Sequence, residues 1–420
     1  MEQAFTTMRD LIRAFAAAMN FIEPEVEGHH EQVTYLAARL AEELEFSGPE
    51  RNLTFYGALL HDVGSVMMRS GRSLRELEAL PGALAKASAA LLRKTPVTAF
   101  LSEIVEESQS PWRKLKELPG AVTRPRFIGQ VIHLADMVSL LLKPEERVLN
   151  QLGYIRGVIG QVGESEFHPK VLEALDRLMG RESVWMDMQY APGSFLAFLP
   201  EEKNVTLPET VRLAEFVSAI IDFRSPFTAM HSAGVSATAE FLARLAGMSR
   251  AECGMMKIAG LLHDVGKLKV PREILEKPGK LTDEEFNIMK EHAYYTYAAL
   301  KDIRGFEQIT PWAAYHHEKL SGKGYPFHLD DRDIPLGARI MAVSDVFSAI
   351  TEDRPYRKGM TEAEAMAVLR EDAGRGALSP ALTELLLLHF EEINAARAAA
   401  SDAAGRRYRE SMAEKGAALP

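Results

Sequence analysis

The sequence predicts an all-α protein made of two related helical bundles, and two observations support this prediction. Apolar residues recur at steps of three or four along most segments, as in AECGMMKIAGLLHDVGK (251–267), whereas convincing strand alternation is scarce. Nearly the same octapeptide also occurs twice, as ALLHDVGS at 58–65 and as GLLHDVGK at 260–267. We therefore expect a duplicated helical domain that carries its functional residues at helix ends and in loops.

The bulk composition is that of an ordinary folded protein. The 420 residues are enough for two or three domains, and 47% apolar with 26% charged residues excludes a disordered chain. The lone Cys253 rules out an internal disulfide and any cysteine-rich zinc site. A net charge of −10 argues against a long nucleic acid partner, and no apolar run approaches the roughly 20 residues of a membrane helix. We expect a cytoplasmic protein with no membrane partner.

The repeat sets the expected domain organisation. At a constant offset of 202 residues, Leu11 aligns with Leu213, and the register holds without a gap from about residue 11 to residue 65. Further along, Asp136 aligns with Asp345. We expect an N-terminal repeat at 1–182, a linker at 183–208, a C-terminal repeat at 209–394 and a tail at 395–420. The linker region 184–202, rich in aromatic residues, is expected to hold a minor strand, and the tail a surface helix or frayed end.

The second repeat concentrates metal-ligand residues. Five of its seven candidates are histidines, in a chain with only twelve, and the set is His231, His263, Asp264, His292, His316, His317 and Asp345. Imidazole and carboxylate together suit Mn, Fe or Zn. A carboxylate such as Asp264 has two oxygens and can bridge two cations. Two metal ions with open positions can activate a water molecule for displacement at phosphorus.

Separated motifs in this repeat, in the right order, resemble those of one known family. The segments HDVGK (263–267), HHEKLSGKGYP (316–326) and RIMAVSDVFSAITEDRPYRK (339–358) look like those of the HD-GYP family, a branch of the HD-domain metal-dependent phosphohydrolases. The resemblance covers roughly residues 210–392. It implies an all-helical domain with a site for two or three metals. It also implies hydrolysis of cyclic di-GMP, or of a related cyclic dinucleotide, to linear pGpG or to GMP.

The resemblance assigns roles to the seven candidates and to one lysine. One metal would be held by His231, His263, Asp264 and Asp345. The second would share Asp264 and take His292, His316 and His317. Lys267, directly after the His-Asp-Val-Gly turn, would contact the scissile phosphate and offset the charge that builds in the transition state.

The resemblance also assigns substrate contacts. The loop residues Gly324, Tyr325 and Pro326 would shape the pocket for guanine and phosphate, and Tyr325 could stack on a base or simply pack the loop. Arg354 and Arg357 would pair with phosphate oxygens, unless they form a solvated turn.

Two positions depart from the family pattern. Phe227 stands where members with three metals carry glutamate, so two divalent ions are expected, with Fe or Mn favoured and Zn compatible. Ser321 stands where the family usually has aspartate before the Gly-Tyr-Pro loop, and this leaves the substrate preference more open than the chemistry.

The first repeat keeps only part of this set. His29, His61, Asp62 and Asp136 match the four positions of a one-metal HD site, whereas Ser65 replaces the lysine and nothing matches the second group of histidines. We favour a degenerate copy that acts as a scaffold, a regulator or a homodimer surface. A vestigial metal site and a mononuclear enzyme stay open as alternatives.

The leading functional hypothesis is therefore a cyclic di-GMP phosphodiesterase that uses a hydroxide activated by two metals. A second hypothesis keeps the chemistry and changes the substrate to cyclic GMP-AMP or another cyclic dinucleotide. A third makes the protein a signalling adaptor that responds to cyclic dinucleotides and hydrolyses them weakly.

Overall fold

The computed structural model describes residues 4–22, 28–68, 76–77, 80, 82–93, 98–120, 122–200, 204–224, 230–277, 279–353 and 358–418. Most of these residues are helical, which confirms the predicted all-α class. They form two compact units. The C-terminal unit contains Met1–Phe21 and Asn204–Met412, and the N-terminal unit contains Ile22–Lys203 and Ala413–Pro420.

The chain opens with strand β1 (Ala4–Thr7) and helix α1 (Met8–Ile22), which pack in the C-terminal unit. The N-terminal unit then follows with α2 (His29–Glu43), α3 (Gly48–Leu60), α4 (Ser65–Met68), α5 (Ala83–Arg93), α6 (Ser102–Glu107), α7 (Trp112–Leu115), α8 (Arg124–Leu141), α9 (Val148–Glu166), α10 (Pro169–Met179) and α11 (Glu182–Tyr190). Two 3-10 helices, Ala99–Leu101 and Pro192–Phe198, complete this part of the chain.

The C-terminal unit continues from strand β2 (Asn204–Thr206). Its helices are α12 (Leu207–Arg224), α13 (His231–Leu245), α14 (Arg250–Leu262), α15 (Arg272–Leu275), α16 (Asp283–Leu300), α17 (Ile309–Ala314), α18 (Leu336–Thr351), α19 (Glu362–Gly374), α20 (Pro380–Leu388) and α21 (Phe390–Ala418). A 3-10 helix at Val265–Lys269 follows α14. A buried core of residues such as Met256, Phe306 and Met341 lies between these helices.

The two units repeat the same pair of helices at the offset seen in the sequence. Helices α13 and α14 begin and end 202 residues after α2 and α3. Each second helix also starts with the same capping box, Ser47 with Glu50 and Ser249 with Glu252, in which serine and glutamate satisfy the first free N–H groups. The structure therefore confirms the tandem helical organisation.

The strand expected within 184–202 was a wrong prediction. The segment forms α11 and a 3-10 helix, and the two strands of the described chain lie at β1 and β2 instead. Val184 and Met188 are buried at a helical step of four, and the buried Trp185 donates from Nε1 to the Leu178 carbonyl, 3.1 Å away. The aromatic content reflects the packing of a helix and not a pleated surface.

The first residues of the chain pack on the C-terminal unit, although the sequence analysis placed them in the N-terminal repeat at 1–182. Strand β1 pairs antiparallel with β2, and the Phe5 ring lies 6.2 Å from that of Phe306. Helix α1 follows on the same unit, where Phe15 stacks on Phe216. Sequence similarity between two repeats cannot tell which copy a segment packs against, and tertiary contact decides it here.

The C-terminal segment, expected as a separate tail from residue 395, is helical and partly packed. Helix α21 buries Ile393 and Arg397, and the Ser401 hydroxyl donates to the Met230 carbonyl at 3.0 Å. The C-terminal unit accordingly extends to Met412. Across the part of the chain that the structure describes, no helix combines the length and apolar character needed to cross a bilayer.

The seating of β1 can be tested at Gly305, which has φ +86° and whose Cβ, if present, would collide with the Phe5 carbonyl oxygen. Gly247 has nearly the same φ, +84°, with open space around it. We expect Gly247→Ala to cost about 1 kcal/mol from backbone strain, and Gly305→Ala to cost about 1–3 kcal/mol more. Urea unfolding of both variants measures the difference. Equal destabilisation would contradict the close contact with Phe5.

Candidate metal centre

Two groups of histidine and aspartate meet in the C-terminal unit. One consists of His231, His263 and Asp264, and the other of His292, His316 and His317. Within each group, one candidate ligand atom per residue lies within 4.8 Å of the others. Asp264 Oδ1 is also 3.6 Å from His292 Nε2, so this carboxylate faces both groups.

Backbone carbonyl groups orient three of the imidazoles. His263, His292 and His316 each place Nδ1 2.6–2.8 Å from the carbonyl oxygen three residues earlier in the chain. Because a carbonyl can only accept, Nδ1 of each ring carries the hydrogen and Nε2 keeps its lone pair. The Nε2 atoms of His292 and His316 lie 3.3 Å apart, and that of His263 lies 3.2 Å from Asp264. The lone pairs therefore converge on a shared space.

Asp345, from the middle of α18, reaches both groups. Its Oδ1 lies 3.0 Å from His231 Nε2 and 3.9 Å from His263 Nε2, and its Oδ2 lies 4.0 Å from His317 Nδ1. The structure therefore brings together all seven residues that the sequence proposed as ligands. They come from five helices or helix ends, so their convergence depends on the packing of the whole unit.

The residues at this centre fit first-row divalent metal ions. His263 Nε2 and Asp264 Oδ1 are buried and make no hydrogen bond within the described part of the chain, a costly state that a bound cation would relieve. Burial, with the neighbouring His317, lowers the pKa of His292 to about 3, so this imidazole is neutral and able to ligate at pH 7. Although burial opposes its charge, His263 and Lys267 hold the pKa of Asp264 well below its usual range. Neutral imidazoles with ionised carboxylates are the donors that Mn, Fe and Zn accept.

Lys267 lies at the edge of this centre. The 3-10 helix after His263-Asp264 places its Nζ 2.6 Å from Asp264 Oδ2, and its side chain is 19% exposed. The lysine is thus paired with a candidate bridging ligand and also open to solvent on one side.

The Gly-Tyr-Pro loop folds back onto the histidine pair. A Cβ at Gly324 would collide with the backbone of Glu318 and Lys319, so the close approach requires glycine. The Tyr325 ring lies 4.8 Å from the His317 ring. The backbone N–H of Tyr325 donates to the His317 carbonyl at 3.3 Å. Pro326 follows in the turn. Tyr325 therefore packs on a candidate ligand, and burial raises the pKa of its hydroxyl.

Glu318 braces this loop, a role that the sequence reasoning did not assign. The side chain is buried, and its two oxygens accept from the N–H groups of Phe327 at 2.7 Å and Leu329 at 3.0 Å. Ser321 also forms an isolated β-bridge with Asp330 at the mouth of the loop. In the sequence, the signal that could have pointed to Glu318 was its position directly after the two candidate histidine ligands.

Glu352 is a second residue that the sequence reasoning missed. It follows the end of α18, is buried, and places Oε2 3.3 Å from His231 Nδ1. Although burial opposes the charge on His231, its hydrogen bonds with Asp345 and then with Glu352 raise its pKa to about 9. The carboxylate orients the imidazole so that Nε2 points toward Asp345. Its seven-residue separation from Asp345 gives a helical period, but only the structure shows which histidine it meets.

Three positions discussed from the sequence, Phe227, Arg354 and Arg357, lie outside the described residues. In the N-terminal unit, the structure brings together His29, His61, Asp62 and Asp136, each buried, with candidate ligand atoms within 4.8 Å of one another. His30 lies beside them, also buried and absent from the sequence-based set.

Several known proteins are similar to this chain. A family model described as HD domain matches residues 215–382, which include all seven candidate ligands. The cyclic di-GMP phosphodiesterase response regulator RpfG of Xanthomonas campestris pv. campestris is 36% identical over 265 residues, covering 63% of this chain and 67% of that protein. The chain belongs to the HD-GYP family. It is thereby a member of the HD-domain metal-dependent phosphodiesterases.

Two further comparisons extend over both units of this HD-GYP phosphodiesterase. A protein named 3'3'-cGAMP-specific phosphodiesterase 1, from Vibrio cholerae serotype O1, is 29% identical over 398 residues and covers 92% of each chain. The crystal structure of a cyclic GMP-AMP specific phosphodiesterase of V. cholerae, V-cGAP3, matches with a TM-score of 0.63 at 21% identity, covering 94% of this chain and 97% of that one. The second match supports the fold alone.

Glu318→Gln tests the bracing of the loop. The amide replaces one accepting oxygen with a donor that faces a backbone N–H, so we expect faster hydrogen exchange at Phe327 and Leu329. Loss of a hydrogen bond to a charged group is worth about 1.5–3 kcal/mol, which corresponds to roughly 10–100-fold in local opening. Glu384→Gln, which changes an exposed carboxylate paired with Arg370, is the control. Unchanged exchange at both amides would contradict the bracing role.

Glu352→Ala tests the orientation of His231. Without the carboxylate, the imidazole loses its orienting acceptor, and we expect metal affinity at this HD-GYP centre to fall about 10–100-fold. Glu352→Gln keeps an oxygen that can accept from Nδ1 and should lose less. Titration with Mn(II), monitored by electron paramagnetic resonance, measures both. Wild-type affinity in the alanine variant would show that Glu352 does not act on the centre.

Proposed function

We propose that this HD-GYP phosphodiesterase hydrolyses a cyclic dinucleotide with two divalent metal ions held at the seven-residue centre. The observation that supports it best is the placement of Asp264, which lies 3.2 Å from His263 in one group and 3.6 Å from His292 in the other. A carboxylate in that position can share two cations. Fe or Mn is favoured by the mixture of imidazole and carboxylate, and Zn is compatible.

The proposed ligand sets follow the two groups. One ion would be held by His231, His263, Asp264 and Asp345, and the other by Asp264, His292, His316 and His317. Bound there, the two ions would lower the pKa of a water molecule and neutralise negative charge on the phosphodiester. His317 and Asp345 have the most exposed side chains of the set, 29% and 13%, so the substrate would approach from their side.

The chain supplies a cation of its own beside the ions. Lys267 keeps its ammonium 2.6 Å from Asp264 and part of its side chain in solvent, so it can turn toward a phosphate oxygen without leaving the site. Its charge would offset the charge that develops as the phosphodiester bond breaks. The resemblance gives Arg354 and Arg357 a similar task on the outer phosphate oxygens. Gly324, Tyr325 and Pro326 would form the wall next to the His317 ring.

Cyclic di-GMP is the first candidate substrate, with linear pGpG or GMP as the product. It is the substrate named for the relative that shows the family, RpfG. A second candidate is 3'3'-cGAMP, because the relative that matches over 92% of both chains is named as specific for it. Ser321, in place of the usual loop aspartate, is a feature of this chain that bears on the same choice.

The activity test uses purified full-length protein loaded with Mn(II) or Fe(II). We expect it to convert one of the two cyclic dinucleotides to linear products, with the preferred one found by direct competition. Asp264→Asn should remove both the activity and most of the bound metal from the centre, because it weakens the shared ligand. Binding of either dinucleotide without turnover by a fully loaded centre would instead support a signalling adaptor.

Lys267→Met tests the role of the ammonium. We expect kcat to fall about 10²–10³-fold, the usual effect of removing one group that stabilises developing charge, while the metal content stays near that of the wild type. Lys257→Met, which removes a surface lysine paired with Glu215 at 2.9 Å, is the matched control and should retain full activity. A Lys267→Met variant with unchanged kcat would remove this residue from the mechanism.

A further inference from the structure

We infer that the N-terminal unit holds a metal site of its own, a closed single-ion centre formed by His29, His61, Asp62 and Asp136. The candidate ligand atoms of these four residues lie within 4.8 Å of one another. His29 Nε2 is 3.5 Å from Asp62 and 3.3 Å from Asp136. His61 Nε2 is 3.1 Å and 3.5 Å from the same two carboxylates. This inference does not rest on the proposed function of the C-terminal unit.

The inward-facing atoms of this cluster make no proper hydrogen bond in the described structure. They are Nε2 of both histidines, both oxygens of Asp62, and Oδ1 of Asp136. The four side chains are only 1–3% exposed, so water does not solvate these atoms from outside. Burying several such groups without partners is expensive, and their convergence on one point is the arrangement that a cation stabilises.

Hydrogen bonds outside the cluster point both imidazoles inward. His61 Nδ1 lies 2.7 Å from the Ala58 carbonyl, which can only accept. His29 Nδ1 lies 3.0 Å from Ser139 Oγ, and that hydroxyl donates its own hydrogen to Gln32. Ser139 is therefore the acceptor for His29, and both rings carry the hydrogen on Nδ1. In the neutral ring each Nε2 then offers a lone pair to a metal, as in metal sites where an outer acceptor orients the histidine.

Among the described residues, the N-terminal unit has counterparts of the proposed ligands of the first ion, but a leucine stands where the second group has His292. The Gly64 N–H donates to Ser88 Oγ at 2.9 Å, just as the Gly266 N–H donates to Thr296 Oγ1 at 3.1 Å. Ser88 and Thr296 are thus equivalent, and the residue four positions before each is Leu84 in one helix and His292 in the other. Leu84 lies in a buried apolar cluster with Met68, Leu77, Ala83 and Ala87.

Its closed environment assigns this centre a structural role. A structural metal site is fully surrounded by protein, whereas a catalytic one keeps an open position. In the C-terminal unit, the side chains of His317 and Asp345 are 29% and 13% exposed. In the N-terminal cluster, no candidate ligand has a side chain more than 3% exposed. The buried Ser65 stands at the position that Lys267 holds in the C-terminal unit. A first-row divalent ion here would tie together α2, the end of α3, and α8.

The decisive experiment isolates the N-terminal cluster in the full-length chain. Asp264→Asn with His292→Ala disables the C-terminal centre, and the apoprotein is then titrated with Co(II). We expect one equivalent to bind, with visible absorption bands of a Co(II) ion in a low-symmetry protein site. Adding His61→Ala and Asp62→Asn to this background should abolish both the Co(II) binding and the absorption bands. His30→Asn, which removes a buried imidazole of the same neighbourhood that is not a ligand, should retain both.

A thermal measurement gives a second readout that does not require the ligand variants to fold. In the Asp264→Asn, His292→Ala background, Co(II) or Mn(II) should raise the melting temperature, because an ion that binds only the folded state stabilises it. Absence of both Co(II) absorption and thermal stabilisation in that background would overturn the inference, and so would loss of binding in His30→Asn. In that case the two aspartates would be balanced by protons on the histidines. Neither result depends on whether the C-terminal unit hydrolyses a cyclic dinucleotide.

Discussion

The backbone of Gly266 touches the helix that carries His292, and the C-terminal centre depends on that contact. A Cβ at residue 266 would overlap the His292 carbonyl oxygen, so no other residue allows the approach. Thr296 Oγ1 accepts from the Gly266 N–H and donates to the His263 carbonyl at 2.9 Å, which locks the end of α14 against α16. Asp264 is thereby held 3.6 Å from His292, and the two ligand groups become one centre.

The same contact exists in the N-terminal unit with different chemistry around it. A Cβ at Gly64 would collide with the backbone of the helix that carries Ser88, and Ser88 accepts the glycine N–H as Thr296 does. Duplication therefore preserved the backbone junction and the His-Asp turn that it positions. Beside this junction, Leu84 packs in an apolar cluster at the position that His292 holds in the C-terminal unit. The two units can share this backbone contact and differ in the side chains around it, because the contact stabilises the bundle whether or not a second ion is bound.

The electrostatics of the C-terminal centre explain how it stays ready for metal. Burial keeps the imidazole of His292 neutral, whereas the Lys267 ammonium helps to keep Asp264 ionised against the opposing effect of burial. Carboxylates outside the seven-residue set complete the arrangement: Glu352 orients His231, and Glu318 holds the loop that packs Tyr325 on the histidine pair. The contact of Glu352 with His231 joins residues from different parts of the bundle, so this geometry depends on the assembled unit.

The sequence by itself determined the helical class, the duplication and the seven candidate ligands. These depend on local spacing and on motif order, which a linear chain displays directly. Tertiary structure alone decided that β1 and α1 pack on the C-terminal unit, that segment 184–202 is helical, and which side chains brace the ligands. It also decided that the cluster around His61 is sealed whereas that around His263 opens at one edge. Such features depend on burial and on contacts between residues far apart in the chain. The spacing of apolar residues along the sequence does not predict them.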